Sequence, residues 1–220
     1  MSGQLPITLA GEAVILDAGR ALYWPRMRTL LVADVHFGKA QLFRRAGIPI
    51  PRGTTSGDLA RLDALIARHD PARLLVLGDL VHGAGLVDDA WVTEVRKWRA
   101  RHATRAIEVV AGNHDRHFDA RDAGFALAGA VVHEGPFALA HAPRPIADRY
   151  VLSGHLHPGV ELREAGMRGR LPVFWFGAHV GVLPAFGRMT GLAMITPARD
   201  DTLVAIAGDG LVSLPARAFA

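Results

Sequence analysis

Five apolar runs in the chain each end on residues able to hold a metal. TLLVAD ends at Asp34, with His36 two residues on. RLLVLGD ends at Asp79. IEVVAGNHD ends in Asn113, His114 and Asp115. FALAH ends at His141, and YVLSGHLH ends in His155 and His157. None of these runs alternates apolar with polar residues, as a strand with one wet face does. Each is therefore expected to be a strand buried on both faces. In layered α/β folds, ligands gather outside the carboxyl ends of such strands. The polar clusters are expected to converge there.

The segments between the runs indicate the layering. Short strand-like pieces open the chain: PITLA, AVILDA and ALYWP. Apolar residues at helical spacing mark 55–69 behind Ser and Asp capping candidates. They also mark 88–103, with Asp88 or Asp89 near its start and Arg and His near its end. The first half of the chain alternates strand and helix. The second half is mostly strand, continuing through LPVFWFG, GLAMITPA, DTLVAIAG and GLVSLPA. This order predicts an α/β architecture with two sheets in the middle, not a plain doubly wound sheet. The 220 residues suit one domain, 1–220. The polar clusters follow one another too closely to leave room for a cap domain.

The donor types narrow the chemistry. Cysteine is absent, which excludes disulfides, thiolate metal sites and thiol nucleophiles. Carboxylates, imidazoles and one amide suit divalent Mn, Fe or Zn. The candidate ligands are Asp34, His36, Asp79, Asn113, His141, His155 and His157. They are too many for one tetrahedral site and suit two ions roughly 3.5–4 Å apart that share a carboxylate. Asp34 and His36 stand at i and i+2, as do His155 and His157, so each pair faces one side of an extended chain. Gly78, Gly112 and Gly154 precede the clusters, where a backbone leaving a sheet needs unusual dihedrals.

Taken together, DxH (Asp34, His36), GD (Gly78, Asp79), GNHD (Gly112 to Asp115), His141 and GHxH (Gly154 to His157) resemble the complete signature of the calcineurin-like metallophosphoesterases. The motifs stand in that family's order. The resemblance implies a four-layer αββα sandwich of two mixed sheets. It implies two divalent metal ions, Mn²⁺ foremost, with Fe or Zn as alternatives. Asp34, His36 and His157 would hold one ion, and Asn113, His141 and His155 the other. Asp79 would bridge them, and His114 would face the scissile phosphate as a catalytic residue. Two such ions lower the pKa of a shared water. Hydroxide would then attack phosphorus in line, with His114 assisting the leaving group and Asp115 orienting His114.

HFGKAQLFRRAGIPIPRGTT (36–55) and LPAFGRMTG (183–191) are also similar to the bacterial ligase-associated DNA damage response endonucleases. That similarity implies a phosphodiesterase on single-stranded DNA in repair, associated with a DNA ligase, an exonuclease and a helicase. An uncapped site and a net charge of +4 agree with a polymeric anion. Other readings are a phosphodiesterase or pyrophosphatase on small nucleotides or a lipid-linked pyrophosphate, a phosphoprotein phosphatase, and a non-catalytic scaffold of the same fold. Lys39, Arg44, Arg45 and Arg52 are candidates to grip flanking phosphates; the alternative is a solvated basic helix face.

The remaining singled-out residues receive plainer readings. Many relatives carry an acidic residue shortly after GD, where this chain has His82. His82 either supports the metal ligands or is unconnected with them, and the plainer reading is preferred. His117 and His133 read as ordinary surface or core residues. Phe37 either stacks on a base or joins the core. His179 and Arg188 receive no role. Trp91 and Trp98 share one helix face and read as packing. The N-terminus lacks the pattern of a signal peptide, and no apolar run reaches the roughly 18 residues of a membrane span. A cytoplasmic chain without membrane contact is expected, and strands of the tail offer edges for a homodimer.

Overall fold

The fold is known from a computed structural model, which describes residues 2–82, 89–117, 119–164 and 167–219. The first sheet contains β1 (Gln4–Leu9), β2 (Glu12–Asp17), β3 (Ala21–Trp24), β4 (Thr29–Val32), β5 (Arg73–Val76), β6 (Ala106–Val110) and β7 (Ala126–Gly129), side by side in chain order. Its opening strands are antiparallel up to β4, and β4 to β7 are parallel. The parallel crossovers carry the helices α1 (Lys39–Arg45), α2 (Thr54–His69) and α3 (Ala90–Arg101).

The second sheet contains β8 (Val131–Glu134), β9 (Phe137–Ala140), β10 (Tyr150–Ser153), β11 (Pro158–Glu164), β12 (Met167–Phe176), β13 (Val180–Val182), β14 (Ala193–Met194), β15 (Thr202–Ala207) and β16 (Gly210–Pro215). Its order is β14-β11-β12-β13-β10-β9-β8, with β15 paired to β12 and β16 to β15. β9, β10 and β13 are parallel neighbours, and most other pairs are antiparallel.

The unbroken apolar runs have the double burial they imply. Along β4, Leu30 and Val32 face Leu62, Leu65, Val95 and Trp98 of α2 and α3. Leu31 and Ala33 face the other way, into a core with Phe137, Leu139, Leu152 and Phe174 of the second sheet. Each fully buried leucine contributes on the order of 1.5–3 kcal/mol, and both faces must be satisfied at once. This fixes β4, β5 and β6 in the middle of the sandwich. The α/β class with two mixed sheets is therefore observed. α2 and α3 cover the first sheet. Among the described residues the outer face of the second sheet carries no α-helix, and Val160, Val173, Leu203, Trp175 and Phe219 pack together there.

The helix starts differ in detail from the sequence reading. α2 begins behind Gly53, in the left-handed conformation at φ +86, with no side-chain cap. Asp89 precedes α3, but its carboxylate turns to Arg45 and the Trp91 indole; Asp88 lies outside the described residues.

Candidate metal centre

The carboxyl ends of β4, β5 and β6 meet those of β9 and β10 across the sandwich. Two donor groups form there. In the first, Asp34, His36 and His157 place one donor atom each within 4.8 Å of the others. Nε2 of His36 lies 3.2 Å from Nε2 of His157, which is 3.6 Å from Oδ1 of Asp34. In the second, Asp79, His141 and His155 do the same. Nε2 of His141 lies 3.0 Å from Nδ1 of His155 and 2.8 Å from the side-chain oxygen of Asn113. Asp79 reaches both groups. Its Oδ2 is 3.8 Å from Nε2 of His36, and its Oδ1 is 3.4 Å from Nε2 of His141.

The backbone brings these donors together by a route that strand periodicity does not give. Asp34, His36, Asp79, His155 and His157 all have positive φ, between 50° and 73°. Non-glycine residues seldom occupy this left-handed region, and such outliers persist only where the surrounding fold over-determines them. The two i,i+2 pairs therefore aim at the site through kinked loops, not as same-face residues of extended strands. Of the three glycines before the clusters, only Gly78 has positive φ. Gly112 and Gly154 are needed for clearance. A Cβ on Gly112 would stand 2.2 Å from the Asp79 nitrogen, and one on Gly154 2.5 Å from Oδ2 of Asp34.

The donor set fits divalent cations. Oδ1 of Asp34 is buried and has no hydrogen-bond partner. An anionic oxygen left so is costly unless a cation satisfies it. Nδ1 of His141 lies 3.0 Å from the Leu77 carbonyl. A carbonyl only accepts, so Nδ1 carries the proton and Nε2 keeps a lone pair for a metal. Burial pushes the His36 imidazole down to about 2, with Lys39 and His157 adding to the shift. It is thus a neutral donor throughout the physiological range. Imidazole and oxygen ligands without sulfur suit Mn, Fe or Zn.

His114 stands at the solvent edge, with its side chain 39% exposed and Nε2 3.9 Å from Oδ2 of Asp79. Its backbone N–H donates to Oδ1 of Asp79 at 2.9 Å. Among the described residues no hydrogen bond joins Asp115 to this imidazole. Its carboxylate accepts from the Val81 N–H at 3.1 Å and the Gly112 N–H at 3.0 Å, so it clamps the loop after β6 to the loop after β5. The sequence reading erred because adjacency along a tight 3₁₀ turn sends neighbouring side chains apart.

His82 is the residue that reading undervalued. Its ring stacks on His114, and its Nδ1 lies 3.2 Å from Nδ1 of His36. The available signal was its position three residues after Asp79 of the GD motif.

The basic residues after the first motif divide. Lys39 feels the charges of Asp34 and Asp79, while burial lowers its pKa. Arg45 pairs with Asp89 at 2.6 Å, and Arg44 bonds Gln41 and the Pro51 carbonyl. Arg52 and Arg44 line a separate hollow with Trp91 and Glu94. Phe37 is core, 2% exposed. His133 and His179 are exposed, and the side chain of His117 lies outside the described residues.

Residues 27–132 match the family description "Calcineurin-like phosphoesterase". The structure is similar to that of Pseudomonas putida nuclease MPE, with 39% identity and a TM-score of 0.85, over 96% of this chain and all of that one. It is also similar to Yfce, a phosphoesterase from E. coli, with 16% identity and a TM-score of 0.43, over 87% of this chain and 94% of the other. No curated protein matches it. The two His/Asp groups are the pair of sites that a binuclear phosphoesterase centre requires, and the chain belongs to the calcineurin-like phosphoesterase family.

Proposed function

We propose that this chain is a binuclear metal-dependent phosphodiesterase that cuts DNA internally, with single-stranded DNA in repair as its substrate. The observation that carries the reading is the position of Asp79, within 4 Å of a histidine in each donor group. A shared carboxylate is what two ions acting on one phosphate need. Asp34, His36 and His157 would hold one ion, Asn113, His141 and His155 the other, and Asp79 both. When bound, the ions, proposed as Mn²⁺, supply a nucleophilic water at neutral pH and neutralise charge on the phosphate. His114, at the exposed edge, gives a proton or hydrogen bond to the departing oxygen. His82 holds that ring in place, and Lys39 adds positive charge on the phosphate side. The similarity to a bacterial nuclease over 96% of the chain supports a nucleic-acid substrate. Among the described residues no helix is long and apolar enough to cross a membrane, and a cytoplasmic setting is part of the proposal.

The test uses circular single-stranded DNA beside a small chromogenic phosphodiester, both with Mn²⁺. Nicking of the circle alongside hydrolysis of the diester is expected. Hydrolysis of the diester with the circle left intact would reject the endonuclease reading.

A further inference from the structure

Beside the metal centre, on the same rim, lies a basic trough that the chemistry above does not use. Arg20, in the turn before β3, bonds the Ala185 carbonyl, and Ala185 bridges to Ala33 beside Asp34. The loop after β13 closes the other side. Its Phe186 N–H donates to the Ala33 carbonyl at 2.7 Å, and its Gly187 N–H donates to the Asp34 carbonyl at 3.1 Å. Arg188 is the next residue. Arg61 of α2 completes the cluster, its guanidinium 4.0 Å above the Phe186 ring. These arginines line an open hollow of about 780 Å³.

The charges here do not balance. Asp58, 7% exposed, pairs with Arg61 at 2.9 Å. Arg20 is tied to the carbonyl of Ala185 at 2.9 Å, a neutral acceptor. Arg188 is exposed; its backbone N–H donates to the Asp58 carboxylate, which feels the charges of all three arginines. Nε of Arg61 is buried and bonded to nothing. Arg68 lines the same hollow but is taken up by Asp17, and Asp209 stands on the β15–β16 side of it. Repulsion from Arg188 helps burial lower the Arg20 pKa. Burial and the two other arginines bring Arg61 down to about 10, against the opposing pull of Asp58. Three guanidiniums around one carboxylate leave unmet positive charge and unmet donors, and guanidinium planes match phosphate oxygens in geometry.

We propose that the trough of Arg20, Arg61 and Arg188 is a second anion site, holding phosphodiester groups of the nucleic-acid strand that continues from the metal centre. The proposal rests on the nuclease reading and names where the uncut part of the strand lies. It also accounts for the LPAFGRMTG segment, in which Phe186 and Gly187 lock the loop to the end of β4 and Arg188 faces the strand.

The test compares kcat/KM for a single-stranded oligonucleotide with that for a small chromogenic diester, in Mn²⁺-loaded full-length protein, across a salt series. Arg188→Gln is expected to lower the ratio at least fivefold and to flatten the log–log salt dependence by about one unit. Arg188→Lys should retain most of the ratio, and Arg188→Glu should lower it further. Thermal melting of each variant checks that the exposed substitution leaves the fold intact. An unchanged ratio and slope in both Arg188→Gln and Arg188→Glu, with the oligonucleotide still cut, would overturn the second site while leaving the nuclease reading in place. If the wild type hydrolyses the diester but neither cuts nor binds the oligonucleotide, the nuclease reading fails, and the strand assigned to the trough fails with it.

Discussion

The imidazole of His82 lies face to face with that of His114, ring centroids 4.4 Å apart and planes tilted by 28°. Its Nδ1 is also 3.2 Å from Nδ1 of His36. One side chain thus touches both a candidate metal donor and the residue proposed to meet the leaving oxygen. His82→Ala is expected to cost about tenfold in metal affinity and at least as much in kcat. His82→Phe keeps a stacking surface and loses the nitrogen, so it should recover kcat more than metal affinity. Equal loss in both variants would mean that the stack does not position His114.

The loop clamp of Asp115 separates stability from catalysis. Asp115→Asn loses one of two acceptors and should lower the unfolding free energy by about 1–2 kcal/mol. At saturating metal, kcat should stay near the wild-type value. A large loss of kcat with unchanged stability would restore Asp115 to an orienting role.

Gly112 and Gly154 stand where neighbouring donors leave no space for a methyl group. Alanine at either position should destabilise the protein by about 1–3 kcal/mol through overpacking. It should also push Asp79 or Asp34 out of place. The measurement is thermal melting with and without chelator. The stabilisation supplied by metal should shrink in both variants, whereas a purely structural effect would leave that difference intact.

Asp17 gives an acid-stability prediction far from catalysis. It is fully buried. Burial alone would raise its pKa, but hydrogen bonds from His69 and Arg68 and the Gly19 N–H outweigh it and hold the carboxyl at about 2. A depressed carboxyl stabilises the fold above its unfolded pKa of roughly 3.9. That contribution is lost as pH falls from about 4 toward 2. In Asp17→Asn the loss over this range should be smaller by about 1–2 kcal/mol, allowing for screening through the half-exposed Arg68. Chemical denaturation at several pH values measures it, and parallel curves for the two proteins would contradict it.

The sequence made the central strands legible because burial on both faces leaves a run with no polar interruption. The donors at their ends were legible because no other use explains them. β7, β8, β11 and β13 were not read. β7 reads ALAG and β13 reads VGV, too short and too small in side chain to give a period. The convergence of Asp34 with His36 was foreseen for the wrong reason: left-handed kinks do what strand alternation was expected to do. Asp115 was misassigned because sequence adjacency to His114 stood in for spatial adjacency. Arg20, Arg61 and Arg188 could not be joined from sequence, since they come from a turn, a helix and a loop that only the sandwich brings together.

Metal dependence with two ions per chain is the claim from which the rest follows, and titration of the chelated, full-length protein with Mn²⁺ tests it most directly, reading bound metal and hydrolysis of the chromogenic diester together. Binding of two ions, with activity reached only as the second is taken up, is the expected result; Asp79→Ala should abolish both, while His114→Ala keeps the metal and loses about 10²–10⁴-fold in kcat. Saturation at a single ion, or hydrolysis that continues in excess chelator, would contradict the binuclear centre.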